Sequence, residues 1–193
     1  MKRVLLASLL ALVLPYNAFG VDYQIDPSHS SVVFKVKHLA ISSVPGRFGD
    51  VSGKFSFDPA NVGASSAEAR ISAGSVNTMD TKRDDHVRGA DFLDASKFPA
   101  ITFKSTKVEK VSDTEFKAIG DLTLHGVTKP VTLDVVYGGS AKDPWGKDRA
   151  AFEATTKINR KDFGLTWSKA LETGGLVVGD DVQISLEIEG VKG

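Results

Sequence analysis

The residues best suited to chemistry lie together in the segment 84–91, DDHVRGAD. Its carboxylates and imidazole, from Asp84, Asp85, His86 and Asp91, are groups that enzymes use for general acid–base catalysis. A charged cap on an exposed helix explains the same residues without catalysis. The chain has no cysteine and no Gly-x-Ser-x-Gly motif to supply a nucleophile. We therefore predict that the protein is not an enzyme, with a secreted hydrolase acting on a lipid-like substrate as the alternative.

The four histidines are too dispersed in the sequence to predict a metal site. His29, His38, His86 and His125 fall in four separate predicted elements, and no two have the spacing of a paired ligand site. A metal site would need several of them to converge with carboxylates. We predict no bound metal and no catalytic cofactor.

Eight segments that alternate apolar and polar residues make up most of the chain. Alternation with a period of two is typical of strands with one buried face, and turn-forming residues separate the segments. Because no long helical crossover lies between most of them, the sheet is predicted to be antiparallel. Closure into a barrel would remove exposed edges, and a two-sheet sandwich is the structural alternative. The predicted strands are 31–39, 50–58, 67–73, 100–108, 114–124, 130–137, 149–158 and 181–190.

The inward faces of these strands combine large apolar side chains with many small residues, such as Gly53, Ala69, Ala118 and Gly120. Small inward residues leave either a narrow, filled barrel or an apolar cavity. A cavity suits a lipid chain with a polar head group, and a structural β-domain with a filled core is the other alternative. His38 continues the inward face of its strand and is a candidate contact for the head group. Arg83 and Arg88 are further candidates, with a solvated, salt-bridged helix face as their alternative. The side chains predicted to line the cavity are Phe34, Val36, Phe55, Phe57, Ile71, Phe103, Phe116, Leu122, Leu133, Val135, Phe152 and Ile184.

One segment near 81–97 interrupts the strand pattern and is predicted to contain a short helix. Thr81 and Asp84 have the spacing of a capping box at its start. Gly89 can end the helix in the left-handed conformation. Only Val87 is apolar between these caps, so the helix is predicted to lie on the surface.

The large apolar residues that follow this helix need cover, and the nearest apolar surface is an end of the barrel. We predict that Phe92 and Leu93 belong to a lid over that end. Phe163, Leu165 and Trp167 lie in a second segment without strand pattern and are candidates for the other part of the mouth. A hydrophobic plug that closes the barrel end permanently is the alternative.

Four segments, YQIDPSHSSVVFKVKHL, RDDHVRGADFLDASKFPAITFKS, DLTLHGVTKPVTLDV and INRKDFGL, occur in this order along the chain. Together they resemble the signature segments of the YceI-like polyisoprenoid-binding proteins, over residues 22–191. The resemblance implies an all-β, lipocalin-like, eight-stranded antiparallel barrel. It implies that this barrel carries a long-chain polyisoprenoid, an isoprenoid quinone or a similar amphiphile, and it implies no catalysis. Members of this family are typically exported to the bacterial periplasm and often form homodimers.

The N-terminal segment 1–20 has the features of a secretory signal peptide. A basic start is followed by an apolar run at 4–14, too short to span a bilayer, and by small residues before the predicted cut. We predict cleavage between Gly20 and Val21 and a single YceI-like domain over 21–193. The product is predicted to be a soluble periplasmic protein without a membrane anchor.

The charge of the chain gives no indication of a nucleic-acid partner. The chain has 24 basic and 24 acidic residues, and Lys2 and Arg3 belong to the predicted signal peptide, so 22 basic residues remain against 24 acidic ones. Nucleic-acid binding requires a strongly basic surface. The resemblance to the YceI-like proteins implies instead an isoprenoid lipid as the partner, held for transport, storage or stress-linked metabolism.

Overall fold

The computed structural model describes residues 20–169 and 177–193, so the predicted signal segment lies outside the described residues except for Gly20. Strands dominate this part of the chain, which also contains one α-helix, α1 (Thr81–Arg88). No helix in it is long and apolar enough to cross a membrane. The strands are β1 (Val21–Ile25), β2 (Ser31–His38), β3 (Ser42–Phe48), β4 (Val51–Phe57), β5 (Ser66–Ser72), β6 (Val76–Asn77), β7 (Ala100–Lys110), β8 (Glu115–Leu124), β9 (Val127–Lys142), β10 (Asp148–Asn159) and β11 (Val178–Lys192).

Six of these strands are segments of three longer, interrupted strands. β1 pairs with β4 while β2 pairs with β3, and β4 pairs with β5 while β3 pairs with β6. The ring continues from β5 through β7, β8, β9 and β10 to β11, which pairs with both β1 and β2. All pairings are antiparallel, and eight long strands close the barrel. The predicted eight-stranded antiparallel barrel is confirmed, and each predicted segment falls on a different barrel strand.

The prediction missed β3, whose sequence SSVPGRF contains residues that usually argue against a strand. Gly46 in this strand is the register partner of Phe34 on β2. A Cβ atom on Gly46 would overlap the Phe34 ring. The glycine is therefore needed to admit the ring of the neighbouring strand, which a single-strand pattern does not reveal.

Helix α1 begins and ends differently from the prediction. Asp80, and not Thr81, is the N-cap residue, and its side chain accepts a hydrogen bond from the Arg83 N–H. Asp84 is buried and accepts from the backbone and hydroxyl of Thr78, both at 2.6 Å. Gly89 has φ −72°, so the predicted left-handed cap is wrong. The surface position of the helix is confirmed, because most of its other residues are exposed.

The two ends of the barrel differ in their connections. One end, the lid end, carries the turns 39–41 and 125–126 and two longer segments, 78–99 and 160–169. The opposite end carries the connections from β4 to β5, from β7 to β8 and from β9 to β10. The longer segments outside the sheet therefore lie at the lid end, while at the opposite end strand residues pack with Val62 of the connection from β4 to β5.

Candidate functional site

An apolar cavity of about 320 Å³ runs through the inside of the barrel. Its volume lies within the range of small-molecule sites, roughly 300–1,000 Å³. All eight barrel strands contribute to its wall, together with Val87, Phe92 and Leu93 from the lid end. The space exists because alanines occupy wall positions that larger side chains would fill, namely Ala67, Ala69, Ala118 and Ala154.

Thirteen of the sixteen side chains predicted to line a site belong to this wall, and twelve of them lie on strands that alternation identified. Their contact with a ligand stays a prediction. The thirteen are Phe34, Val36, Phe55, Phe57, Ile71, Phe92, Phe103, Phe116, Leu122, Leu133, Val135, Phe152 and Ile184.

The other three predicted residues, His38, Phe163 and Trp167, are at the lid end but do not form part of the wall. His38 is the last residue of β2, and the chain then turns through two residues with positive φ. Phe163 is 2 % exposed and packs in the core cluster that includes Leu93. Trp167 contacts the Phe92 ring from outside, with 5.0 Å between ring centroids.

The glycines on the inner face do not open the cavity as the alanines do. A Cβ atom on Gly120 would lie 2.6 Å from Cζ of Phe103, because the Phe103 ring lies over this glycine. A Cβ atom on Gly53 would meet the backbone of Glu68 and Ala69 on the neighbouring strand. Of the two outcomes predicted for small inward residues, these glycines therefore admit filling side chains or backbone, while the alanines leave free space.

Six aromatic residues, Tyr23, Phe55, Phe57, Phe116, Tyr137 and Phe152, form a cluster that we call the plug. The Phe57 ring lies 5.8, 4.8 and 5.0 Å from the rings of Phe116, Tyr137 and Phe152. These partners lie on β8, β9 and β10, none of which pairs with the β4 strand that carries Phe57. Contact between opposite walls crosses the bore, so the plug closes the barrel at what we call the plug end.

The lid end is closed by a second cluster of different composition. Leu93 is 9 % exposed and packs with Leu165, Ile158 and Phe163 beneath the lid segment. The backbone N–H of Leu93 donates to the Val87 carbonyl, which fixes the turn after α1. The predicted cover by residues after the helix is therefore present, with Leu93 as its buried member.

Arg160 is a wall residue that the sequence interpretation missed. It is 3 % exposed, and one terminal nitrogen donates to the carbonyls of Leu165 (2.5 Å) and Trp167 (2.8 Å). Its other nitrogens donate to acceptors in 178–180. Burial lowers the pKa of Arg160, yet arginine stays charged in proteins. Arg160 continues the inward alternation of β10 by one step past Ile158, and this signal could have found it.

The residues considered for catalysis do not form one site. Asp84 faces Thr78, whose hydroxyl lowers the pKa of this carboxyl. Asp85 instead pairs with Arg88 at 2.9 Å. His86 Nε2 lies 2.8 Å from an Asp91 oxygen, on an exposed surface. The structure thus divides the predicted cluster into separate, local pairings.

A second polar cluster lies on the outer surface near the plug end. One ligand atom each from Asp26, His29 and Glu189 lies within 4.8 Å of the other two, a spacing that could hold a metal ion. Arg149 already donates to Asp26 (2.8 Å) and Glu189 (2.6 Å). Its guanidinium holds the pKa of Asp26 far below the usual range of a carboxyl group. The positive charge that these carboxylates require is therefore supplied by the chain itself.

The chain belongs to the family of the YceI-like domain, whose family model matches residues 23–190. A UPF0312 protein of Vibrio cholerae serotype O1 is 42 % identical over 196 residues, covering all of both chains. This result confirms the family that the four sequence segments resemble.

Solved structures show the same barrel. BcnA of Burkholderia cenocepacia superimposes with a TM-score of 0.76 at 26 % identity, covering 86 % of this chain and 98 % of BcnA. A polyisoprenoid binding domain from Saccharophagus degradans has a TM-score of 0.66 at 18 % identity, covering 90 % and 99 % of the two chains. At that identity, the second comparison concerns the fold alone.

Proposed function

We propose that this protein is a periplasmic carrier that holds a long-chain polyisoprenoid or an isoprenoid quinone in the cavity of its barrel. The observation that carries the proposal is the cavity itself, which passes between two apolar clusters and is lined almost entirely by apolar side chains. The Saccharophagus degradans domain, named for polyisoprenoid binding, indicates that this fold can serve such ligands. The signal-like segment 1–20 supports export to the periplasm.

The energetics of apolar burial favour a lipid chain in this site. Each buried methylene contributes about 0.8 kcal/mol, so a few isoprene units in the bore outweigh the cost of ordering a flexible chain. The wall offers few polar partners, so a strongly polar ligand would lose its hydration without replacement. Nothing in the proposal requires a chemical step, and the ligand is carried unchanged.

We place the head group at the lid end. At the other end the rings of the plug cross the bore, and a polar group among them would lose its hydration. The backbone around Arg160 and the rim of the barrel at His38 provide polar surroundings near the lid. The head group therefore stays close to water while the chain fills the bore.

Blocking the bore tests this function. Ala69→Phe places a ring in the cavity, and we expect it to reduce loading of an added prenyl alcohol at least tenfold. Arg70→Phe is the matched control, because Arg70 is exposed on the same strand and its side chain points outward. Loading is measured by native mass spectrometry, with far-UV circular dichroism to verify folding. Equal loading of folded Ala69→Phe and wild-type protein would contradict the proposal.

A further inference from the structure

The plug divides the interior of the barrel into an open part and a filled part. Phe55, Phe57, Phe116 and Phe152 form the part of the plug that faces the cavity. Their rings touch across the bore, and Phe57 is only 6 % exposed. A chain that enters from the lid end therefore meets a wall of rings before it reaches the far end of the barrel.

We infer that Phe57 is a specificity-determining residue that sets the longest isoprenoid chain the cavity can bury. The inference rests on the proposed function and adds chain length as the property that the site selects. Phe57 alone among the plug residues has rings from three strands of the opposite wall against it. It therefore occupies the middle of the bore, where the end of a chain would arrive.

The tail of the ligand, and not its head, meets the plug. A polar group placed among these rings would lose its hydration, which is unfavourable without a hydrogen-bond partner. The Tyr137 hydroxyl already bonds Ser140 at 2.6 Å, so it is engaged outside the cavity. The tail therefore ends at Phe57 and extends from there toward the lid end.

This geometry predicts how affinity depends on chain length. The wall residues from Val182 to Ile188 span about 20 Å of strand. Affinity should rise with each isoprene unit until the tail reaches the plug, because each unit buries more apolar surface. Further units would stay at the mouth in water, so affinity should then remain constant.

Substitutions at the plug should move this limit in both directions. Phe57→Ala and the milder Phe57→Leu remove ring volume from the bore, so affinity should keep rising to a longer chain. Ala118→Leu adds volume beside the plug, because Ala118 lies on the wall two residues from Phe116, and affinity should stop rising at a shorter chain. Phe98→Leu is the matched control, since it removes the same ring from a residue that packs on His125 outside the cavity wall.

The experiment is a competition among all-trans prenyl alcohols of two to ten isoprene units, mixed at equal concentration and scored by native mass spectrometry. We expect the chain length at which occupancy stops rising to increase by at least one unit in Phe57→Ala and Phe57→Leu. It should decrease by at least one unit in Ala118→Leu and stay unchanged in Phe98→Leu. Melting temperatures identify any variant that does not fold. If Phe57→Ala does not fold, Phe57→Leu and Ala118→Leu still test the inference.

Two results would overturn the inference and are distinguishable. If the folded variants bind prenyl alcohols with the length preference of the wild type, the plug does not select length, while the carrier function stands. If neither wild type nor variants bind any chain, the proposed function fails and the inference fails with it.

Discussion

The two ends of the barrel are both closed by apolar side chains, but these side chains are anchored in different ways. The rings of the plug are carried by β1, β4, β8, β9 and β10, which are hydrogen-bonded on both sides. Leu93 and Phe92 are carried by a segment outside the sheet. That segment is held by side-chain contacts such as those from Arg88 to the carbonyls of Gly74 and Val76.

This difference indicates which end can open. Displacing the plug requires breaking the ladder that holds the barrel closed, whereas displacing the lid breaks a few local hydrogen bonds, each worth about 1 kcal/mol. Elements with few such contacts open at lower free energy than core strands. We therefore expect the lid end to be the route of ligand exchange and the plug end to remain closed.

The largest effect is expected from Phe116→Ala in the plug. Phe116 is 3 % exposed, and removing a buried ring of this size costs about 3–5 kcal/mol of the free energy of unfolding. Urea denaturation measures this loss. Phe98→Ala at the lid end is the matched control and should cost clearly less, because Phe98 is only half-buried. Equal losses in both variants would mean that the two ends are equally integrated in the fold.

Leu93→Ala should lower the free energy of global unfolding less than Phe116→Ala does, but it should strongly destabilise the lid. Losing about 2 kcal/mol of packing should make the lid open roughly 30-fold more often. Native-state hydrogen exchange should therefore accelerate in 89–98 and much less in β11. Uniform acceleration of both regions would contradict an independently opening lid.

Phe92→Asp should act on ligand release more than on stability. The ring is half-buried between the cavity and Trp167, so a carboxylate there should speed dissociation of a bound prenyl lipid by about tenfold, equivalent to about 1.4 kcal/mol. Transfer of the lipid to acceptor vesicles measures the rate, with Phe92→Leu as the conservative comparison. An unchanged rate would exclude this side chain from the exit route.

Acidification should remove the contribution of Asp84 at the lid end before that of Asp26 near the plug end. Hydrogen bonds from Thr78 lower the pKa of Asp84 at the lid end, and Arg149 lowers that of Asp26 near the plug end much further. A carboxyl group with a lowered folded-state pKa stabilises the fold above its unfolded pKa of about 4. This contribution to stability is lost as the pH falls through the folded-state pKa of the carboxyl group. Asp84 should therefore lose its contribution at a higher pH than Asp26.

Tryptophan fluorescence can observe this order of events. The chain has two tryptophans, so Trp145→Phe leaves Trp167 as a probe of the lid end. Its emission should change at a higher pH than the far-UV circular dichroism of the barrel. Adding Asp84→Asn, which keeps an acceptor oxygen but cannot titrate, should reduce the early change. If Trp167 emission and far-UV circular dichroism change at the same pH in the Trp145→Phe protein, the expected order is wrong.

The barrel could be predicted because most of its strands have one buried face. Alternation in segments such as 181–190 identifies both the strand and the side that faces the cavity, so residues such as Ile184 were assigned to the wall. The strand β3 could not be predicted, because its Pro45 argues against a strand and its Gly46 is explained only by the Phe34 ring on the neighbouring strand.

The ends of the barrel were harder to predict, because they depend on contacts between distant segments. Alternation alone predicted that His38 lies in the wall. However, His38 is the last residue of β2, and the chain turns immediately after it. Conversely, Arg160 has the inward alternation of β10, but its charge gave no reason to expect it inside an apolar wall. Its partners at Leu165 and Trp167 become apparent only in the folded chain.

The most direct test of the account is native mass spectrometry of the protein purified from an exporting bacterial host, followed by solvent extraction of any bound species. The carrier function predicts one isoprenoid lipid or isoprenoid quinone per chain, released on extraction and absent from folded Ala69→Phe protein. An empty wild-type protein that also fails to bind added prenyl lipids would contradict the account and would indicate a structural β-barrel instead.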